Sequence, residues 1–321
     1  MQTLTGKRVL VTGGAGFIGS HLVDRIIKDR PAAVAVVDNL FLGREENLTD
    51  ARATFPALVF HREDASDYEA MARIVSDGKI DVVFNLAVIP LPTSLERPRW
   101  TVGVNVAIAT VAAELLREGR YRTLIHFSSS EAYGTAQYAP MDEGHPLVPC
   151  TPYAASKAAG DHVVLAYRET FGIDAAIVRP FNNYGPRQND GAYAGIIPIV
   201  VRRALRGEGT VISGDGEQTR DFTFVRDTAE AAVRVYGDPA TRGHVLNVAT
   251  GRESSINALV RQILRVMQSD AGITYGPPRP GDVLRHCGGI GLLRELTGYV
   301  PAPMTDDALL ETIDWYRGRA A

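Results

Sequence analysis

Tyr153 and Lys157 stand four residues apart in TPYAASK, a spacing that sets both side chains on one face of a helix. An ammonium beside a phenol favours the phenolate and draws the tyrosine down from its usual ~10, so the pair could take a proton from an alcohol. Ser128, Ser129, Ser130 and Glu131 lie together in FSSSEAYG, where their hydroxyls could bind that same alcohol. A tyrosine–lysine pair alone is more often plain helix surface, so its meaning depends on what lies beside it.

A second motif supplies that context. TGGAGFIG, Thr12 to Gly19, joins a predicted strand, Arg8–Thr12, to a helix whose Ile18, Leu22, Val23, Ile26 and Ile27 recur at helical spacing. Gly13, Gly16 and Gly19 let the backbone approach a pyrophosphate, and the helix start at Phe17 and Ile18 aims free amides at its charge. Asp38 ends the next strand, followed by Asn39. A carboxylate there accepts the adenosine ribose hydroxyls and repels a 2′-phosphate, which selects NAD over NADP. A glycine pattern alone is weak, but strand, turn, helix and acid in this order are specific. Asp64 and Ala65 after the third strand, and Leu86 and Ala87 after the fourth, fall where adenine and ribose would bind, although simple turns need such residues too. With NAD in place, its cationic nicotinamide adds to the pull of Lys157 on Tyr153.

The elements that must position these groups alternate in type. Val34–Asp38, Leu58–Arg62, Val82–Leu86, Thr123–Ser128 and Ala175–Arg179 read as further strands, and Ser66 with Glu69 has capping-box spacing for a helix from Asp67. This predicts an α/β fold, a doubly wound parallel (Rossmann) sheet. After Pro180 the alternation breaks, and a second, smaller substrate-binding domain is expected. His244–Val248 reads as one more buried strand returning to the sheet. The expected division is 1–179 plus about 225–250 for the NAD-binding domain, and 180–224 plus 251–321 for the other.

Composition narrows the partners. The 321-residue chain carries a net charge of −3 with no basic run, which argues against nucleic acid and anionic membrane surfaces. Cys150 and Cys287 are the only cysteines, too few and too far apart for a disulfide framework, so a reducing cytoplasm is expected. Met1–Leu10 lacks the pattern of a secretory signal. Asp81, Asn85, Pro90 and Pro92 interrupt the richest apolar stretch, so no membrane span is expected. No metal site is expected either.

TGGAGFIG, VVDNL, the serine-rich strand end, Tyr153 with Lys157, and RPFNNYGPRQ from Arg179 to Gln188 occur in an order that resembles the extended short-chain dehydrogenases/reductases acting on nucleotide sugars. The likeness covers nearly the whole chain. It implies that Ser129, Tyr153 and Lys157 oxidise carbon 4 of the sugar, with Pro180 also against NAD. It implies further that Asn182, Arg220 in GEQTRDF, and Arg279 with Asp282 in RPGD hold the diphosphate and nucleoside, where planar guanidinium groups suit phosphate oxygens. A homodimer through the Trp100–Arg117 helix and the Tyr153 helix is implied as well.

Glu131 points to the reaction. Dehydratases resembling this chain use a glutamate there to remove the hydrogen on carbon 5, and SSSEAYGTAQYAPMDE is similar to that branch. The usual 4,6-dehydratase has aspartate where this chain has Ser130, which puts protonation of the leaving hydroxyl in question. UDP-glucuronate decarboxylases share the serine–glutamate pair. The chain also resembles the antibiotic-pathway enzymes of the tunicamycin type, UDP-N-acetylglucosamine 5,6-dehydratases. The expectation is an NAD-dependent dehydratase of a UDP-sugar, 5,6 or 4,6 in type, with UDP-sugar 4-epimerase and decarboxylase as alternatives. An NAD-sensing scaffold without chemistry is the non-enzymatic alternative, disfavoured because Tyr153 and Lys157 are both intact. Cys150, three residues before Tyr153, reads as a small loop residue or as pocket lining.

Overall fold

A computed structural model describes residues 2–191, 194–278 and 282–320; Arg279, expected on the diphosphate, lies outside the described residues. In chain order the first half runs β1 (Arg8–Thr12), α1 (Phe17–Ile27), β2 (Ala33–Val37), α2 (Thr49–Thr54), β3 (Leu58–His61), α3 (Tyr68–Gly78), β4 (Val82–Asn85), α4 (Leu91–Glu96), α5 (Pro98–Arg117), β5 (Thr123–Phe127), α6 (Pro152–Phe171) and β6 (Ala175–Pro180). Then come β7 (Asn182–Tyr184), α7 (Ile196–Leu205), β8 (Thr210–Ser213), β9 (Thr219–Arg220), β10 (Phe222–Phe224), α8 (Val225–Gly237), β11 (Val245–Val248), β12 (Ser254–Ser255), α9 (Ile256–Met267), β13 (Ile273–Gly276), α10 (Gly291–Thr297) and α11 (Asp306–Ala320).

Seven of these strands form one parallel sheet in the order β11-β6-β5-β4-β1-β2-β3. Its central strands are apolar on both faces, RVLVT, AVAVV and VVFN, because helices cover both sides and no residue alternates into water. Leu22, Val23 and Ile26 of α1 pack with Ala229, Ala232 and Tyr236 of α8 on one face. Ile74 of α3, Ile108, Ala112 and Leu115 of α5, and Val164 of α6 fill the other. A third cluster stands apart from the sheet: Val200 and Val201 of α7, Leu259, Val260 and Ile263 of α9, and Leu309 and Ile313 of α11. The α9 residues recur at helical spacing, so a single apolar stripe is buried there.

Strand order reverses between β1 and β4, and a crevice opens there at the carboxyl ends of the strands. The expected β-runs agree with the observed strands to within one residue at either end. The predicted cap of α3 differs. Asp67, not Ser66, is its N-cap and accepts from the Ala70 amide at 3.0 Å, while the Ser66 hydroxyl donates to Asp64 Oδ1 at 2.7 Å. A carboxylate on the adjoining loop captures the serine, and the helix starts one residue later.

A second difference concerns α5. Its 20 residues are long and apolar enough to cross a membrane by length and composition, contrary to the sequence expectation, because Arg99, Glu114 and Arg117 sit at its ends. Half of its most apolar window is buried in the fold, where it packs along α6 and the sheet.

Candidate active site

At the crevice lies a cleft of about 460 Å³. Gly13, Gly16, Phe17, Ile18 and Gly19 form one end of its wall. Gly13 has φ +67, and a Cβ there would lie 2.9 Å from the Ala87 amide nitrogen; a Cβ on Gly19 would lie 2.1 Å from the Gly13 carbonyl oxygen. Only glycine permits this packing of turn, helix and β4 end. No side chain caps the start of α1, so its first amides stay free for an anion.

Asp38, Asn39, Asp64, Ala65, Leu86 and Ala87 complete this end. Asp38 Oδ2 accepts from the Ala15 amide and Oδ1 from the Leu40 amide. Burial raises its carboxyl while both bonds oppose. Asn39 donates to Asp64 Oδ2 at 3.4 Å, and the Leu86 and Ala87 amides donate to Thr12 Oγ1. A glycine cradle, an uncapped helix start and a ribose-facing carboxylate fit a bound NAD. Among the described residues no group of three or more His, Cys, Asp or Glu is placed to hold a metal ion.

Ser129, Glu131, Tyr153, Lys157, Pro180 and Asn182 share the same cleft. α6 carries Tyr153 and Lys157 because Thr151 caps it, accepting from the Ala154 amide, with Pro152 in its first turn. The short helical turn Ser130–Tyr133, capped by the Ser129 hydroxyl, presents Glu131 to the same cleft. Burial raises the Glu131 carboxyl; Arg220 opposes this and Asp282 adds to it.

The lowering expected of Tyr153 draws on the nicotinamide charge together with Lys157, and the protein's own surroundings act the other way. Its phenol is pushed up to about 12 by burial, against a hydrogen bond with Ser129 and with help from Glu131 and Asp161. Lys157 Nζ donates to the Phe127 carbonyl at 2.5 Å. Burial takes Lys157 itself down to about 8, with Asp161 pulling the other way. Without the nicotinamide charge, the phenol keeps its proton at neutral pH.

Four residues considered from the sequence, Ser130, Arg220, Asp282 and Cys150, lie off the cleft wall. Ser130 is buried behind it, and Arg220 pairs with Asp282 at 2.6 Å just beyond Glu131. Cys150 is exposed, with Sγ 3.5 Å from the Val148 carbonyl. Wall residues with no sequence signal include Gly43, Arg44 and Trp315. Gly43 lies so close to Asp38 that a Cβ would sit 2.6 Å from both carboxylate oxygens. Arg44 reaches Asp190 at 3.3 Å, and Trp315 arrives from α11 near the end of the chain. No local pattern announces a residue brought in from so far.

The sequence model of the NAD dependent epimerase/dehydratase family matches residues 9–249. A curated UDP-glucose 4-epimerase of Mycolicibacterium smegmatis is 36% identical over 98% of this chain and 99% of its own length. The solved UDP-N-acetylglucosamine 4-epimerase of Methanobrevibacter ruminantium, in complex with UDP-N-acetylmuramic acid, superposes with a TM-score of 0.91 at 34% identity, over 98% of this chain and 99% of that one. DesIV of Streptomyces venezuelae, a dTDP-glucose 4,6-dehydratase solved with NAD, gives 0.90 at 31% identity, over 97% of both chains. With its parallel sheet, glycine cradle and Tyr153–Lys157 pair, this chain belongs to the NAD-dependent epimerase/dehydratase family of nucleotide-sugar enzymes.

Proposed function

We propose that the chain is a dehydratase of UDP-N-acetylglucosamine that eliminates water across carbons 5 and 6 of the sugar. The observation that supports this reading best is Glu131, a carboxyl raised by burial on the wall of the cleft that also holds Tyr153 and Lys157. A plain 4-epimerase needs no base there.

When bound along the glycine turn, NAD supplies the hydride acceptor for carbon 4 and the donor that restores it. Tyr153 takes the 4-hydroxyl proton and later returns it, while Ser129, bonded to the phenol, holds the 4-oxygen. The ketone acidifies the hydrogen on carbon 5. Glu131 takes that hydrogen as a proton, and the electron pair left behind forms the C5–C6 double bond as the 6-hydroxyl departs. Ser130 has no acidic proton to give and lies off the wall, so Glu131 hands its proton to the departing hydroxide and one water leaves. A raised carboxyl suits both halves of that exchange. Asn182, Arg220, Arg279 and Asp282 are proposed to hold the nucleotide.

We read the sheet with its flanking helices as the NAD-binding domain, and the cluster on α7, α9 and α11 as the core of the substrate domain. α5 and α6 lie side by side and leave Gly103, Ala155 and Ala166 exposed, small residues that suit a homodimer through paired helices. Light scattering at micromolar concentration tests it, and a monomer would remove it.

Mass spectrometry of the product formed from UDP-N-acetylglucosamine in heavy water tests the reaction. A product lighter by one water, without deuterium on carbon 5, is expected. Deuterium at that carbon would indicate the 4,6-type instead. Glu131→Gln should stop elimination while single-turnover reduction of bound NAD survives. A 4-epimerase is the second reading, supported by the likeness to the Mycolicibacterium and Methanobrevibacter enzymes. Its signature would be an isomer of unchanged mass and a Glu131→Gln variant that stays active. Carbon dioxide released from UDP-glucuronate would favour a decarboxylase.

A further inference from the structure

One helical turn beyond Lys157, on the same face of α6, Asp161 is 1% exposed. Its Oδ2 accepts from Ser128 Oγ at 2.7 Å and from Arg179 Nη2 at 2.6 Å, and its Oδ1 has no hydrogen-bond partner. The Arg179 guanidinium lies 4.4 Å over the ring of Tyr133, and Tyr133 donates to Asn247 Oδ1 at 2.9 Å. Ser128, Arg179 and Tyr133 are all buried. Buried ion pairs contribute little net stability, because desolvation cancels most of their attraction. The position of this one suggests a different use.

We propose that Asp161 is a positioning residue for the oxidation: its carboxylate, fixed by Ser128 and Arg179, is the opposite charge that holds the Lys157 ammonium on the stripe of α6 it shares with Tyr153. The proposal rests on Tyr153 and Lys157 being the oxidising pair.

Tyr153, Lys157 and Asp161 follow one another at four-residue steps, so their side chains stack along one stripe of α6. The ammonium is buried and donates to the Phe127 carbonyl. A carbonyl dipole alone compensates a buried charge poorly. Asp161 is the group that opposes the loss of the Lys157 proton. The other ionisable groups nearby do not replace it. His126 on β5 is held neutral, well below its ordinary value, by burial and by Lys157 itself. Arg179 on β6 is a cation, and Glu131 acts on Tyr153. From α5, Asn105 reaches α6 as a neutral amide bonded to Ser156, while Arg99, Glu114 and Arg117 lie at the ends of that helix. Arg179 also rests against Tyr133, in the turn that carries Glu131. One buried unit thus registers the helix of the oxidising pair against the turn of the proposed base.

The chain has only four lysines, Lys7, Lys28, Lys79 and Lys157, so ε-carbon labelling lets Lys157 be followed by NMR, with its signal assigned by its loss in Lys157→Met. The wild-type signal should titrate near 8. In Asp161→Asn its midpoint should fall by at least about one pH unit, the ordinary effect of removing an adjacent opposite charge, with the other three unmoved. The alkaline limb of single-turnover NAD reduction should fall with it, leaving the rate close to wild type at pH 6 and about fivefold lower at pH 8. A purely structural role would instead lower the rate equally at both. Should Asp161→Asn not fold for want of a partner to Arg179, Asp161→Asn/Arg179→Gln removes both charges and must show the same fall. A Lys157 signal that titrates alike with and without Asp161 overturns the proposal. A signal that moves while the kinetic limb stays fixed supports the pairing but overturns the oxidative role assigned to Lys157.

Discussion

At the glycine turn the cleft wall is mostly backbone: Gly13, Gly16 and Gly19 lie within one βαβ unit, and Asp38 ends its second strand. Around Glu131 the surroundings are side chains from far apart, with Arg220 and Asp282 joined by an ion pair and Asn182 on the strand next to β10. The first arrangement is fixed as soon as β1, α1 and β2 fold against each other. The second depends on elements that meet only when the chain after Pro180 has packed. Changes to the glycines of the first end should therefore act all or none on the cofactor, while changes at the second should alter rate and reaction.

The largest effect is expected from Gly19→Val. A Cβ there would stand 2.1 Å from the Gly13 carbonyl, a backbone atom that cannot move aside without opening the turn. NAD binding measured by fluorescence titration should be lost, and the thermal unfolding midpoint should fall. Retained NAD affinity would show that the turn is less rigid than its packing indicates.

Next comes Tyr153→Phe, which should leave NAD binding nearly intact and lower turnover by roughly a hundred- to ten-thousand-fold, the usual range for a lost acid–base group. Because the phenol sits near 12 in the cofactor-free chain, its absorbance should show no ionisation at neutral pH until NAD is added. A phenolate seen at neutral pH without NAD would contradict the environment described for Tyr153.

The strands were legible because each central run is apolar on both faces and is bounded by glycine or charge, a pattern that needs no tertiary knowledge. The glycine turn and Asp38 were legible for the same local reason. The Ser66 cap was misplaced because Asp64, two residues earlier, competes for its hydroxyl. The upward push on the Tyr153 phenol was illegible because spacing sets Lys157 on its face but says nothing of the burial around the ring. Trp315 was illegible because its place depends on how α11 closes against Gln188, whose carbonyl accepts from the Tyr316 hydroxyl at 2.9 Å.

Two buried histidines extend the comparison to stability. His21 bonds the Pro186 carbonyl from α1, and His286 bonds the Gly134 carbonyl, so each ties one end of the cleft to a distant loop. Burial takes both down to about 4. A depressed folded-state value means that their contribution is complete above the unfolded value of 6.5 and is lost as pH falls through about 4. Urea unfolding from pH 7 to 4 should show a loss of up to about 3 kcal/mol per histidine, most of it below pH 6. A flat profile over that range would mean that neither histidine is held neutral.

The smallest effect is expected at Asp38. Its carboxylate has two duties: it ties the glycine turn to the following loop through the Ala15 and Leu40 amides, and it sets the charge that a 2′-phosphate would meet. Asp38→Asn keeps an acceptor oxygen for one of those amides and removes only the charge, so NAD should bind a few-fold more weakly while NADP binds more tightly. The ratio of the two dissociation constants should narrow by about tenfold, roughly 1.4 kcal/mol. It should not reverse, because Arg44, the cation best placed to welcome a 2′-phosphate, is held by Asp190 across the cleft. Adding Asp190→Asn frees that guanidinium and should narrow the ratio further, although Asp190 is remote in sequence from the glycine turn. Paired titrations with NAD and NADP decide it. A ratio unchanged by Asp38→Asn would assign selectivity to the shape of the turn rather than to charge, and an Asp190→Asn change without effect would confine the cofactor end to its own βαβ unit.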